Sequence, residues 1–259
     1  MIAFAGSVPE NYHRYLGSVL FEPYAQDLAR RIGKADRILE IACGTGIVTN
    51  VLIDRLPQTM IVATDLNQGM IDIAKQHVDS KRVTWRQADA TKLPFGDGDF
   101  DAVVCQFGFM FVPDKLAAFH EAHRVLRDGG LLAFSVWDGL EENQGSRIVN
   151  EVAQKMFRDD PPKFIEMPYS MHDRPQIERL LREAGFDRIQ VGDVRFTMQS
   201  PTARHFATGM VRGTPLYDAV QQRGGDPDRI IASIEEILKR ECGDKPMRAP
   251  MGAIVVEAR

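Results

Sequence analysis

The chain has 259 residues, 44% of them apolar and 26% charged, with a formal net charge of -4 at pH 7 and only three cysteines. At this size about three-quarters of the extended surface can be buried, which allows one large core and excludes both general disorder and two sizeable enzyme domains with separate cores. The 32 basic residues form no dense run, so nucleic acid is a poor partner. Cys43, Cys105 and Cys242 are widely spaced and lack a C-x-x-C pair, which argues against structural zinc and a disulfide framework and for a reducing, cytoplasmic setting. Met1-Ile2-Ala3-Phe4 carries no basic leader. No apolar stretch reaches the roughly 20 residues of a membrane span.

The first 36 residues read as a helical approach segment containing Tyr12 and Tyr15. From residue 37 to 137, short apolar runs alternate with amphipathic segments, the pattern of β-α-β units and a parallel sheet. Arg37 to Cys43 is expected to be a strand, and Val48, Val51, Leu52 and Leu56 mark the helix after it. Met60 to Asp65 is the second strand, followed by a helix with Met70, Ile73, Ala74 and His77 on one face. Arg82 to Ala88 and Phe100 to Cys105 are the third and fourth strands. A helix with Leu116, Phe119, His123 and Leu126 is expected to stop at Gly129-Gly130, before a fifth strand from Leu131 to Trp137.

Beyond residue 137, Ile148, Val149, Val152 and Met156 predict a helix, and Ile177, Leu180, Leu181 and Ala184 another. Arg188 to Met198 and Ala253 to Ala258 read as strands. Between them, Asp226 and Pro227 start a helix with Ile230, Ile234 and Ile237. The expected division is residues 1–36 as approach, 37–199 with 250–259 as the main domain, and 200–249 as a helical insertion into a hairpin of the sheet, a lid over the acceptor together with the approach segment.

The densest chemical signal is Glu40-Ile41-Ala42-Cys43-Gly44-Thr45-Gly46, where a strand turns sharply into a helix. The glycines permit close backbone approach, and free N–H groups at the helix start face whatever binds there. Dinucleotide enzymes use a similar turn, but their fingerprint wants a third Gly where this chain has Thr49. Asp65 closes the second strand, where a carboxylate can accept from both hydroxyls of a ribose. Asp89-Ala90 closes the third, where a second acid can accept from an adenine amine.

In order and spacing, these residues, with Phe100-Asp101-Ala102-Val103 and Arg124-Val125-Leu126-Arg127-Asp128-Gly129-Gly130, resemble the class I S-adenosylmethionine-dependent methyltransferases. The wider match is to the branch that includes ubiquinone/menaquinone-biosynthesis C-methyltransferases, and it runs from about Arg37 to Trp137. Asp128 departs from the pattern, since Pro commonly precedes the paired Gly. The resemblance implies a Rossmann-like α/β fold: a three-layer sandwich on a mostly parallel seven-stranded sheet, with an antiparallel last strand and a helical cap insertion. It also implies S-adenosyl-L-methionine as cofactor. Ala42, Gly44 and Gly46 would line its methionine end, and Glu40 would orient the turn. Asp65 would hold the ribose, Leu66 and Met70 would pack beside the adenosine, and Asp89 with the Ala90 backbone would read the adenine. The Gln106 carbonyl would meet the ammonium, with Phe107 nearby. Tyr15, in the approach segment, is a further candidate for the cofactor site.

His120-Glu121-Ala122-His123 has Arg124 where a zincin needs its second His, so no metal site is expected and His123 reads as a packed histidine. Cys43 reads as a small buried residue, and Phe107, Phe109 and Phe111 as core or pocket wall. His13, His172 and His205 lie in variable segments. No general base stands in a motif position. The favoured function is methyl transfer to a small-molecule C, O or N nucleophile by a monomer or homodimer. A non-catalytic cofactor-binding or regulatory protein, and an NAD-type oxidoreductase, are the rival readings.

Overall fold

The structure, a computed structural model, describes residues 6–259; the Met1-Phe4 opening lies outside the described residues. In chain order the elements are α1 (Val8–Leu16), a π-type turn (Gly17–Phe21), α2 (Glu22–Arg31), β1 (Arg37–Ile41), α3 (Ile47–Arg55), β2 (Met60–Asp65), α4 (Gln68–His77), β3 (Val83–Gln87) and β4 (Phe100–Gln106). Then follow α5 (Lys115–Val125), β5 (Leu126–Trp137), α6 (Gln144–Met156), α7 (Arg174–Glu183), β6 (Ile189–Ser200), α8 (Ala203–Arg212), α9 (Leu216–Gln222), α10 (Pro227–Cys242) and β7 (Met247–Ala258). The sheet has seven strands in the order β3-β2-β1-β4-β5-β7-β6. β3, β2, β1, β4 and β5 pair in parallel, and β7 lies antiparallel to β5. Such a sheet needs helices on both faces, so its central strands carry apolar residues on both sides, as Ile38, Leu39 and Ile41 do in β1.

The chain groups into two compact units. One comprises Tyr24–Trp137, Met171–Val194 and Ala253–Arg259; the other comprises the chain up to Pro23, Asp138–Ser170 and Arg195–Gly252. In the first, Leu28 of α2, Leu52 of α3 and Ile71 of α4 pack with Ile38, Ile61, Val104 and Ala133 of the strands into one buried cluster. Each Leu, Ile and Val among them contributes about 1.5–3 kcal/mol of transfer free energy. Phe109, Phe119 and Phe134 form a second cluster of edge-on and tilted rings. In the second unit, α8 packs against α1 and α10, and α6 against α10. Gly209 on α8 and Gly213 just past its end allow the first of these approaches: a Cβ at Gly209 would fall 2.7 Å from the Tyr15 Cβ, and one at Gly213 would fall 2.9 Å from the Tyr12 nitrogen. Asp226 caps α10, accepting from the Asp228 N–H at 2.8 Å.

The expected division differs from this grouping at residues 24–36 and 138–170, and by a few residues at 195–199 and 250–252. Residues 24–36 pack with the sheet rather than apart from it, because Leu28, Ala29 and Ile32 belong to its core cluster. Residues 138–170 fall outside the sheet unit, because the apolar face of α6, with Ile148, Val149 and Val152, meets α10 and α8. Strand bounds differ too. The helix before β5 stops at Val125 rather than Gly129, and Leu126 already pairs with Phe100 before the register jumps to Leu131↔Ala102. Gly129 at φ +70° makes that jump possible. β7 begins at Met247, six residues before the expected Ala253.

Candidate functional site

Residues directly opposite one another in a sheet share a face, so the register shows what lies side by side. One transverse row reads Trp85, Ala63, Glu40, Val104 and Ala133. Two residues further toward the carboxyl ends, Asp65 lies opposite Gln87, and Gln106 opposite Ser135. Between those two pairs β1 has already ended, and the turn from Ala42 to Gly46 occupies the gap.

That turn is built from left-handed backbone: φ is +54° at Ala42, +55° at Gly44 and +82° at Gly46. Phe107, just after β4, is a second non-glycine in this region, at +53°. Such a residue costs roughly 1–2 kcal/mol, and strain of this kind gathers at functional sites. The two turns press together at Gly108, where a Cβ would lie 2.5 Å from the Ala42 Cβ and 2.7 Å from the Cys105 Sγ. Sequence reasoning did not find Gly108; its only signal is a glycine beside the end of β4.

Asp65 is oriented by two amides: its Oδ2 accepts from the Gly44 N–H at 2.9 Å and its Oδ1 from the Asn67 N–H at 2.8 Å. Burial raises its pKa, and those amides oppose the rise. Glu40 is 2% exposed and accepts from the Thr49 hydroxyl at 2.6 Å. Burial pushes its carboxyl up to about 8, against the Thr49 hydrogen bond and helped by the charge of Asp65. Thr49 thus fills the place of the third fingerprint glycine with a hydroxyl that holds this acid. Burial also raises the Cys43 thiol, and it pushes the Cys105 thiol up to about 12. Neither is a nucleophile at neutral pH.

At the other end, Leu66 presents an apolar side chain that is 51% exposed, beside the buried Met70. The Gln87 side-chain amide donates to the Leu66 carbonyl at 2.8 Å and so ties the end of β3 to the loop after Asp65. Asp89 is exposed, and its Oδ1 accepts from both the N–H and the hydroxyl of Thr91, each at 2.8 Å. Ala90, half-buried, follows it. Past Gln106, the Phe107 N–H donates to the Ser135 carbonyl at 2.8 Å. The Phe107 ring stacks on Trp137 with centroids 3.8 Å apart, and Tyr24 of α2 stands edge-on to both at 5.3 Å. Neither Tyr24 nor Trp137 was legible as a site residue, since helical and strand spacing mark both simply as core.

Glu40, Ala42, Gly44, Gly46, Asp65, Leu66, Met70, Asp89, Ala90, Gln106 and Phe107 therefore all belong to the sheet unit, at or just beyond the carboxyl ends of β1 to β4. Tyr15 belongs to the other unit, where its ring meets His205 edge-on at 4.9 Å. His123 packs edge-on against Phe186, and Arg124 is held by Glu121 and Asp97. Among the described residues, no three His, Cys, Asp or Glu side chains gather as a metal site, and no helix is long and apolar enough to cross a membrane.

The donor set suits a cationic nucleoside. An oriented carboxylate faces the strand ends, an apolar shelf stands beside it, and the titratable groups around the glycine turn are all acids. This construction, on a sheet of this order, is that of a class I S-adenosylmethionine-dependent methyltransferase. The family description "Methyltransferase domain" matches residues 39–134. The chain is 31% identical over 179 residues to the ubiquinone/menaquinone biosynthesis C-methyltransferase of Dinoroseobacter shibae, over 62% of this chain and 70% of that protein. It is 41% identical over 98 residues to the demethylmenaquinone methyltransferase of Deinococcus radiodurans, a match spanning 37% of this chain and 41% of that one. Among solved structures, phosphoethanolamine N-methyltransferase 2 of Haemonchus contortus, with S-adenosyl-L-methionine, aligns at a TM-score of 0.59 and 16% identity, over 97% of this chain and 56% of that one, a likeness of fold. The chain belongs to the ubiquinone/menaquinone C-methyltransferase-like branch of the class I enzymes, and S-adenosylmethionine is its cofactor.

Proposed function

We propose that the chain methylates a small-molecule acceptor, and that a reduced quinone ring is the first acceptor to test. The observation that carries the first part is the acid-only surround of the strained turn after β1, with Asp65 held ready by two backbone amides. The quinone is supported by the relatives, whose names are those of ubiquinone, menaquinone and demethylmenaquinone methyltransferases.

The cofactor supplies a methyl group already activated on a sulfonium. What remains for the chain is binding, orientation and exclusion of water. Asp65 would accept from the ribose hydroxyls, Leu66 and Met70 would flank the adenosine, and Asp89 with the Ala90 backbone would read the adenine. Ala42, Gly44 and Gly46 would bring backbone against the methionine end, and the Gln106 carbonyl would accept from its ammonium. The Tyr24, Phe107 and Trp137 rings keep the end of β4 dry and fixed. Acceptor choice is assigned to the helical segment 200–249, outside the matched methyltransferase block. The test is incubation with methyl-labelled cofactor and reduced demethylmenaquinone, read by mass spectrometry. A product heavier by one methyl group is expected. Cofactor binding without that product would discard the quinone, and absence of cofactor binding would discard the site.

A further inference from the structure

Three polar residues of α6, Ser146, Asn150 and Gln154, are spaced four apart and so form one row along the helix. The short 3-10 helix Lys163–Tyr169 packs against α6 and meets that row at both ends. The Tyr169 hydroxyl is hydrogen-bonded to that of Ser146, and the Gln154 amide donates to Glu166 Oε1 at 2.9 Å. Asn150 lies between these contacts and shares in neither. It is 6% exposed, yet its Oδ1 accepts no hydrogen bond from any described residue. A buried acceptor in that state costs stability, and a donor brought from outside the chain would offset the loss.

The chemistry of that donor follows from the buried residues nearest in the row, which are all uncharged: Val149 and Ala153 on α6, and Ile165 and Tyr169 on the short helix. Such surroundings penalise an ammonium and admit a neutral O–H on an apolar body. α6 also packs against α8 and α10, which belong to the segment assigned to acceptor choice.

We propose that Asn150 is a specificity-determining residue for the methyl acceptor, its Oδ1 accepting from a hydroxyl on the acceptor's ring. The inference rests on the reading of a reduced quinone as acceptor, whose ring carries two such hydroxyls. The oxidised ring has carbonyls in their place and no proton to donate, so Asn150 selects the reduced form, the one whose ring carbons are nucleophilic.

The test is equilibrium dialysis of 1-naphthol and of 1-methylnaphthalene against the full chain with S-adenosylhomocysteine bound. Both probes carry the fused ring of reduced demethylmenaquinone, and they differ by a hydroxyl against a methyl of similar size. The wild type should hold the naphthol at least about tenfold more tightly, the value of one buried hydrogen bond. In Asn150→Leu, a change of nearly equal volume, that preference should fall to about threefold or less, with the Kd for S-adenosylhomocysteine unchanged. The variant should melt no lower than the wild type, since an unmet acceptor gives way to an apolar group. No preference in the wild type, or the same preference in both proteins, would overturn the proposal. So would a melting temperature lower by about 4 °C or more in the variant, which would show that Asn150 has a partner within the fold. If the wild type binds S-adenosylhomocysteine but neither probe, the quinone reading itself falls, and this inference with it.

Discussion

Asp65, the last residue of β2, accepts a hydrogen bond from the Gly44 amide at 2.9 Å, joining positions 21 residues apart. The acid expected to hold a ribose therefore also holds the glycine turn in shape. Asp65→Ala would remove the proposed ribose contacts and leave the Gly44 and Asn67 amides without their acceptor. Charge-assisted bonds of this kind contribute about 1.5–3 kcal/mol each, so cofactor affinity should fall about 100-fold. A change of less than about threefold by calorimetry would take Asp65 out of the site.

The two turn glycines should separate stability from binding. A Cβ at Gly46 would lie 2.8 Å from Val78 Cγ2 and 3.2 Å from the Ala74 Cβ, at a φ of +82°. Gly46→Ala should cost about 2–4 kcal/mol, from overpacking together with left-handed strain. A Cβ at Gly44 meets nothing within 4 Å. Gly44→Ala should cost only about 1 kcal/mol of stability while weakening cofactor binding, because the added methyl projects into space the ligand would use. Urea melts and cofactor titration of the two variants would distinguish them, and similar stability losses would refute the distinction.

Glu40 also predicts a pH dependence in the ligand-free chain. Its folded value of about 8 lies above the ordinary 4.5. Between those values the folded state keeps a proton that the unfolded state has lost, so this group's contribution is greatest at low pH and fades as pH rises through 8. The slope is at most about 1.4 kcal/mol per pH unit. Glu40→Gln removes it, so the variant should gain a few kcal/mol on the wild type between pH 5 and pH 8. Parallel stability curves for the two proteins over that window would show the carboxyl to be ionised in the fold.

In the helical unit, Gly213 is the sharpest test of packing. A Cβ there would lie 2.6 Å from the Gly209 carbonyl oxygen and 2.9 Å from the Tyr12 nitrogen. Both are backbone atoms, which cannot swing aside. Gly213→Ala should therefore destabilise by roughly 2–3 kcal/mol and raise hydrogen exchange in α1 more than in β1. Unchanged exchange in α1 would mean that the two helices do not depend on this contact.

The legible part of this protein was the part written in short-range chemistry. β2 could be read to its exact ends, because an apolar run between turn residues has one reading. Asp226-Pro227 located α10 because capping is local. Gly44, Gly46, Asp65 and Asp89 stood out because a strand-to-helix turn and acids at strand ends are patterns of spacing. β5 was misread by five residues because Leu126 continues the helical period, and the pairing of that residue with Phe100 is not local.

Amino-acid order alone determined the β-α-β alternation and the glycine turn, since backbone geometry and side-chain charge act within a few residues, and the resemblance of its motifs to a known family gave the class of ligand. Tertiary structure alone decided that Thr49 would reach Glu40 at 2.6 Å, that Ala42 would meet Gly108, that Tyr24 would close on Phe107 and Trp137, and that α6 would leave the sheet for α10. Those contacts depend on how apolar faces pair over long stretches of chain. A helix's period shows which face it must bury, but not which partner will cover it.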